Sequence, residues 1–352
     1  MRSKKPNSKT RGSLFENLLK WVNLFVIFLA LVSYLSALIN PDKFWLPAVV
    51  GLGFPAYIVG NFLFAIYWLF RRRTYFWFSL LCLLAGLPHY GAWFNLSLGD
   101  GSGEDTITVM TFNTAGMHHF KSDKPETAQA YRQLFRSASP DILCVQEVYT
   151  DGALEGVLAS TDYEGYFKSF GTAVFTSYPI LESGNVQLDT FGSFAAWLDV
   201  EVNGKPLRVY SVHLKSNQFS STALEVARHG DIREKRTWSQ VKFIFSRYST
   251  FVQVRARQVK QLAEHIRQSP HPVLVCGDFN DTPISYIYHC ISEDLQDSFK
   301  AGGNGFGFTF ASFFPFLRID YVFADPSIRI LDHRVLRNSL SDHKPVVVEL
   351  RI

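Results

Sequence analysis

The stretch PVLVCGDFND, residues 272–281, joins a short apolar run to a cluster of polar side chains at its end. Residues 272–276 have the length and β-branched content of a buried strand. Gly277, Asp278, Phe279, Asn280 and Asp281 follow at once. In isolation an Asp or Asn after a strand is most often a turn residue. The rest of the chain repeats the arrangement. The strand-like run 107–112 ends in Asn113, and 142–146 leads into Glu147. The run 207–212 ends in His213, and the run at 319–323 carries Asp320 at its start. The approach to 346–350 holds Ser341, Asp342 and His343. Six places, far apart in sequence, thus set a carboxylate, amide or imidazole at a strand terminus, which turn chemistry alone does not explain.

Further β-rich runs occur at 172–175 and 196–202, and helix-like stretches at 127–137 and 252–268. In the last of these Val252, Val259, Leu262, Ala263 and Ile266 share one face at helical spacing. Many strands with intervening helices predict an α/β (α+β) sandwich over residues 106–352. Four cysteines show no paired spacing for zinc or a disulfide framework, so packing is the expectation for each.

Hard oxygen donors such as Glu147 and Asp342, with few soft ligands, suit Mg²⁺ or Mn²⁺ rather than zinc or copper. Such an ion keeps several waters and takes one or two carboxylates plus substrate phosphate, so a sparse ligand set is expected. Histidines beside it can bind phosphoryl oxygens or move protons.

The N-terminal third is different material. The chain carries a net charge of +4, yet residues 1–99 are strongly basic and residues 100–352 are acidic overall, so the positive balance says nothing about what the C-terminal region binds. Apolar runs at about 20–39, 44–70 and 75–94 lack any charged residue in their interiors and approach the ~20 residues that cross a bilayer core. Three transmembrane helices over residues 20–98 are expected, making the chain a multi-pass membrane protein in contact with the lipid bilayer. A cleaved signal peptide is the alternative for the first run, but no small-x-small site follows it. Trp21, Trp45, Trp68, Trp77 and Trp93 lie near the run ends, where amphipathic rings favour the interface. The basic segment 1–19 and Arg71–Arg72–Arg73 are expected on the cytoplasmic side, which puts the C-terminal domain outside the cytoplasm. Residues 99–105 (GDGSGED, with Gly99 first) are expected as a linker.

The stretches TFN (111–113), PDILCVQE (140–147), GTAVFTSYPI (171–180), YSVHLKS (210–216), VCGDFND (275–281), RIDYVF (318–323) and SDHKPV (341–346) resemble, in this order, the endonuclease/exonuclease/phosphatase superfamily. The resemblance covers essentially all of residues 107–352. It implies two stacked, mainly antiparallel sheets flanked by helices, and hydrolysis of a phosphate ester by in-line attack of an activated water. It implies Glu147 as the metal-binding glutamate, with Asn113 beside metal and phosphate and Asp342 as a further metal-proximal carboxylate. Asp278 is implied to orient or activate the water, with Asn280 as its partner on the phosphate. Asp320 is implied to orient His343, which binds the scissile phosphate. His213 matches the histidine of the deoxyribonuclease and sphingomyelinase branches; abasic-site endonucleases use tyrosine there.

An insertion at about 217–254 is the main departure. Across 225–260 basic residues outnumber acidic ones, with Trp238, Phe243, Phe245, Tyr248 and Phe251 interleaved. A lip steering a polyanion, a surface resting on anionic lipid and a solvated helical excursion all fit it. The expected substrate is a phosphate ester: nucleic acid or nucleotide for a nuclease or general phosphodiesterase, or a lipid head group for a sphingomyelinase-like enzyme. A non-enzymatic binding module on the same fold is the remaining alternative.

Overall fold

The apolar residues 9–90 fold as helices packed on one another, and proline and glycine mark the breaks within the second and third apolar runs. The computed structural model describes residues 9–97, 105–117, 125–149, 151–159, 161–188, 194–217, 220–231, 233–311 and 316–352. Helix α1 spans Lys9–Leu35. The second apolar run divides into α2 (Leu46–Gly51) and α3 (Phe54–Phe70), and the third into α4 (Tyr75–Ala85), α5 (Leu87–Tyr90) and a short strand β1 (Phe94–Leu96). The expected linker, Asp105 apart, and the first eight residues lie outside the described residues.

This corrects the expectation of three spanning helices. Among the described residues only Leu14–Leu35 is long and apolar enough to cross a membrane by itself. The breaks fall at Leu52–Gly53, just before Pro55, and at Gly86, two residues before Pro88. Proline has no N–H to donate, so neither Pro55 nor Pro88 can return a helical bond to the carbonyl four residues back, Gly51 or Leu84. Helix α3, with 17 residues, reaches about 25 Å, short of a ~30 Å hydrocarbon core. A hydropathy window does not see such breaks.

These helices bury polar groups and expose apolar ones. Asn23 donates to Ser79 Oγ at 2.9 Å and accepts from Trp68 Nε1 at 2.9 Å, all three residues being buried. On the opposite stripe of α1, Leu14, Leu18, Trp21, Phe25 and Phe28 are all exposed. Glu16, near the start of α1, pairs with Arg71 and with Arg73 at 2.9 Å. The basic turn and the beginning of α1 therefore share one end of the bundle. The other end meets the remaining chain: Ser36 Oγ donates to the Ile284 carbonyl at 2.7 Å and Asp42 pairs with Arg257. Strand β1 pairs antiparallel with Asn304–Phe306.

From Ile107 onward the elements are β2 (Ile107–Asn113), α6 (Pro125–Ala138), β3 (Ile142–Val148), α7 (Asp151–Leu158), β4 (Gly165–Ser169), β5 (Gly171–Thr176), β6 (Ile180–Gln187), β7 (Phe194–Val202) and β8 (Lys205–His213). They continue with α8 (Ser220–His229), α9 (Lys235–Arg267), β9 (Val273–Asp278), α10 (Tyr286–Ser292), β10 (Gln296–Asp297), α11 (Ser298–Gly302), β11 (Asn304–Phe306), β12 (Asp320–Ala324), β13 (Arg329–Val335) and β14 (Val346–Arg351). Two six-stranded sheets result, in the orders β10-β12-β9-β8-β7-β6 and β13-β14-β2-β3-β5-β4. Within each, one central pair is parallel, β8–β9 and β2–β3, and the other pairs are antiparallel. A parallel pair needs a crossover connection. Helices α8 and α9 supply one and α6 the other. The two-sheet sandwich with helices outside is the expected architecture.

Alternation along the strands sorts side chains to two faces. Val109, Ile142, Cys144 and Val348 of one sheet meet Leu198, Val209, Leu274 and Cys276 of the other between the layers. The outer face of the first sheet is covered by α9, α10 and α2, through residues such as Val252, Val259, Ile287 and Val49. The insertion at 217–254 is helical: it forms α8 and the first half of the 33-residue α9.

A buried ion pair closes the joint between the two parts. Arg318 donates to Asp297 and, at 2.9 Å, to the Ala92 carbonyl, while Tyr288 donates to Asp297 at 2.7 Å. Removing one partner leaves the other charge buried and unpaired. Arg318→Met is expected to lower unfolding free energy by about 3–5 kcal/mol, measured by denaturant titration; a loss below about 1 kcal/mol would show that the pair does not hold this joint.

Candidate active site

Strand register sets the site. Asp320 on β12, Asp278 on β9 and His213 on β8 are direct cross-strand neighbours, giving a row of three across one sheet. In the other sheet Asn113 ends β2 opposite Gln146. The β3–β5 ladder slips between Gln146 and Val148, so Glu147 is the extra residue of a bulge, with φ +60°. A bulge re-aims its side chain, and Glu147 is turned toward the end of the sandwich where the row of three lies. Asn280 also has positive φ, +53°. Left-handed backbone at a non-glycine residue costs of order 1–3 kcal/mol and gathers where surrounding structure imposes it. Gly277 has φ +145°, and a Cβ there would lie 2.0 Å from the Val212 carbonyl oxygen. Only glycine lets β9 run this close to β8 and bring Asp278 level with His213.

Asp278 is buried, and five groups from four residues converge on its carboxylate. Asn113 Nδ2 donates at 2.9 Å, the Asn280 backbone N–H at 2.8 Å and Asn280 Nδ2 at 3.0 Å. His343 Nε2 and His213 Nε2 each lie 3.7 Å from Oδ2. Burial pushes the Asp278 carboxyl above its ordinary range, with the charge on His343 opposing it. His343 Nδ1 sits 3.0 Å from both oxygens of Asp320, and the ring edge packs on Phe310. Burial disfavours the charged ring, but Asp320 and Asp278 outweigh it and push the His343 pKa up to about 10. The imidazolium therefore holds its proton at neutral pH.

Glu147 approaches from the second sheet. Its Oε1 accepts from Asn113 Nδ2 at 3.2 Å and lies 3.7 Å from His213 Nε2. That nitrogen is buried without a hydrogen-bond partner. Two carboxylates converging on an unpartnered buried nitrogen suit a hard divalent cation, which would offset their charge. Asn113 turns its amide nitrogen toward the carboxylates while its Oδ1 accepts from the Ala115 N–H at 3.0 Å; to act as a metal ligand it must present the oxygen, which an amide flip does. Asp278, Asp320 and His343 also lie close enough together to hold an ion. The hydrogen bond from His343 Nδ1 to Asp320 occupies that nitrogen, so orientation of the ring by Asp320 accounts better for this trio.

Seven of the expected residues, Asn113, Glu147, His213, Asp278, Asn280, Asp320 and His343, are thus brought together. Asp342 is not part of the contact network: it is exposed, lines the same cavity, and its carboxylate accepts from Ser341 Oγ at 3.5 Å. Several further residues brace these side chains, and nothing in the sequence marks Arg255 or Thr309 for that role. Arg255, fully buried, pairs with Asp281 at 3.1 Å and donates to Asn217 Oδ1 at 2.8 Å, bracing the turn after Asp278. Thr309 Oγ1 accepts from the Asp320 N–H at 3.1 Å, and Ser341 Oγ donates to the Asn113 carbonyl at 2.8 Å.

A model of the Endonuclease/Exonuclease/phosphatase family matches residues 110–343. The chain belongs to that family. Members of the endonuclease/exonuclease/phosphatase family are hydrolases acting on phosphate esters, and this chain is one of them. A second model, for a domain of unknown function, matches residues 16–93. No curated protein matches. Among solved structures, an endonuclease/exonuclease/phosphatase family protein from Bacteroides thetaiotaomicron is similar at 18% identity and a TM-score of 0.52, over 70% of this chain and 97% of that one. A mannosyl-6-phosphatase from the same species is similar at 19% identity and a TM-score of 0.50, over 70% of this chain and 100% of that one. A humanized D. rerio TDP2 carrying 14 mutations gives 13% identity and a TM-score of 0.51, over 71% and 100%. At these identities the likeness shows the fold alone.

The raised His343 pKa has a stability consequence. Unfolded histidine titrates near ~6.5, so the His343–Asp320 pair contributes fully below that pH, and the contribution is lost as pH rises through about 10. In metal-free protein the His343 ring resonances are expected to titrate near 10, and Asp320→Asn is expected to bring them down toward ~6.5. A wild-type midpoint already at the ordinary value would contradict the pairing.

Proposed function

We propose that the chain is a membrane-anchored, divalent-metal-dependent phosphodiesterase or phosphatase in which water displaces an alcohol from phosphorus in line. The observation that carries this is the buried Asp278 carboxylate set between two imidazoles, with Glu147 beside it. Glu147, with Asn113 after an amide flip, would hold the metal, and Asp342 stands at the cavity wall near them. When bound, such an ion neutralises the phosphate and assists departure of the leaving oxygen.

The chain's own residues supply the remainder. Asp278, held by the Asn280 backbone and side-chain amides, orients the water and takes its proton, which its raised pKa favours. His343, fixed by Asp320 and charged at neutral pH, donates to a phosphoryl oxygen as negative charge accumulates there. His213, with Nε2 unpartnered, is available to the phosphate on the opposite side. Turnover of bis-p-nitrophenyl phosphate with Mg²⁺ or Mn²⁺ tests the reading. Asp278→Asn is expected to lower the rate by about 10²–10⁴, the size of general-base and electrostatic effects; near-full turnover in that variant would remove Asp278 from its role.

The membrane placement rests on the inverted helices. Polar Asn23 and Ser79 face inward while the outward stripe of α1 is apolar, the arrangement favoured in lipid rather than water. The catalytic domain sits at the end of the bundle opposite Arg71 and Arg73, which supports a domain outside the cytoplasm by the positive-inside rule. Protease added to intact cells or spheroplasts is expected to cut the region beyond residue 105. Protection of that region would reverse the orientation.

A further inference from the structure

The catalytic cluster does not open onto a plain surface groove. It forms one end of a cavity of about 930 Å³, near the upper end of the range for small-molecule sites. Glu147, Asp278, Asn280, Asp342 and His343 line that end. Much of the apolar wall comes from outside the sandwich. Trp45, Leu46, Val49 and Val50 belong to the N-terminal helices, and Ile244 and Phe245 to the insertion helix α9. Three of these wall residues, Trp45, Leu46 and Phe245, are also exposed, at 38%, 44% and 50%. The cavity therefore has an apolar rim, and exposed Phe44 extends it toward the apolar exterior of the helices. On α9, exposed Trp238 lies two turns before Phe245 on the same face, with Lys242 alongside. Aromatic and basic side chains together at an apolar rim suit the headgroup boundary of a bilayer.

The lining also argues against nucleic acid. Protein surfaces that hold a nucleic-acid backbone neutralise its phosphates with Lys and Arg. Among the described residues lining the cavity there is neither. A nucleic acid offers a phosphate to the catalytic end but nothing to fill the apolar walls. A phosphate ester carrying a hydrocarbon tail offers both.

Accepting the phosphoesterase reading above, on which this rests, we propose that the substrate is a hydrocarbon-tailed phosphate ester drawn from the membrane. Its phosphate lies on the Asp278–His343 cluster and its tail lies between α9 and the segment around α2. Hydrolysis forms one bond from the water oxygen to phosphorus and breaks the bond from phosphorus to the leaving oxygen; the water proton ends on that oxygen. The products are an alcohol and a phosphate that carries one ester fewer.

The test uses the full chain in vesicles with Mn²⁺ or Mg²⁺. The substrates are bis-p-nitrophenyl phosphate, phosphatidylcholine with short or long acyl chains, phosphatidylglycerol, sphingomyelin and a polyprenyl phosphate. At matched concentration, a long-tailed substrate is expected to turn over at least about tenfold faster than its short-tailed counterpart, as burial of several methylenes implies. Ile244→Trp and Leu46→Trp, which fill the cavity away from the catalytic cluster, are expected to lower turnover of the long-tailed substrate about tenfold or more relative to its short-tailed counterpart. The favoured lipid identifies the source of the tail. Cleavage of the soluble diester with no cleavage of any lipid, or equal rates for long and short tails, overturns the inference and leaves the phosphoesterase reading standing. No cleavage of any substrate by the wild-type chain sinks that reading and the inference with it. The tail-length comparison needs no variant, so a variant that fails to fold does not spare the inference.

Discussion

A carboxylate buried at the end of a central strand organises this molecule. Asp278 is 1% exposed, and a charge so placed is tolerated only when surrounding groups compensate it. The compensating groups come from both sheets and from loops beyond them: Asn113 from one sheet, His213 from the other, Asn280 from the following turn and His343 from the approach to β14. Each must arrive within hydrogen-bond or ion-pair distance, so the stacking of the two sheets and the register of β8, β9 and β12 are tied to one group. Strained backbone at Glu147 and Asn280, and the glycine at 277, are local consequences of the same demand. Arg255, Thr309 and Ser341 then fix the segments that carry these residues.

Much of this was legible in the sequence because the central strands are apolar on both faces and the polar residues stand at their ends. The runs at 107–112, 142–146 and 272–276 became β2, β3 and β9 with small shifts at their boundaries. Edge strands were not legible. Strand β6 carries exposed Glu182, Ser183 and Asn185, a composition with no strand signal of its own, and exists because β7 offers it a ladder. The supporting polar residues were hidden for a related reason: nothing local distinguishes Arg255 or Thr309 from any other helix arginine or loop threonine. The eight residues named from the family motifs gather at one end of the sandwich: seven form the contact network and Asp342 lines the cavity beside them.

The N-terminal third shows the limit of hydropathy. Its apolar content was plain, but counting apolar residues does not register what Pro55 and Pro88 do to a helix. The consequence reaches beyond the number of spans. By breaking the second run, the chain creates the short α2, whose Val49 and Ala48 pack under Tyr248 of α9 against the catalytic domain. The N-terminal helices thereby contribute a wall of the active-site cavity, and the buried Arg318–Asp297 pair, with its bond to the Ala92 carbonyl, locks that arrangement. The helices and the sandwich form one structural unit whose cavity spans their junction.

The role proposed for Glu147, brought beside Asp278 by the bulge in β3, is to take the metal, while Asp320 is kept for His343. Anomalous diffraction from crystals grown with Mn²⁺ tests this most directly. The account predicts a single strong peak within bonding distance of a Glu147 carboxylate oxygen, with the hydrogen bond between His343 Nδ1 and Asp320 intact. A peak held instead by Asp278, Asp320 and His343, with the ring drawn off Asp320 and Glu147 left free, would contradict it.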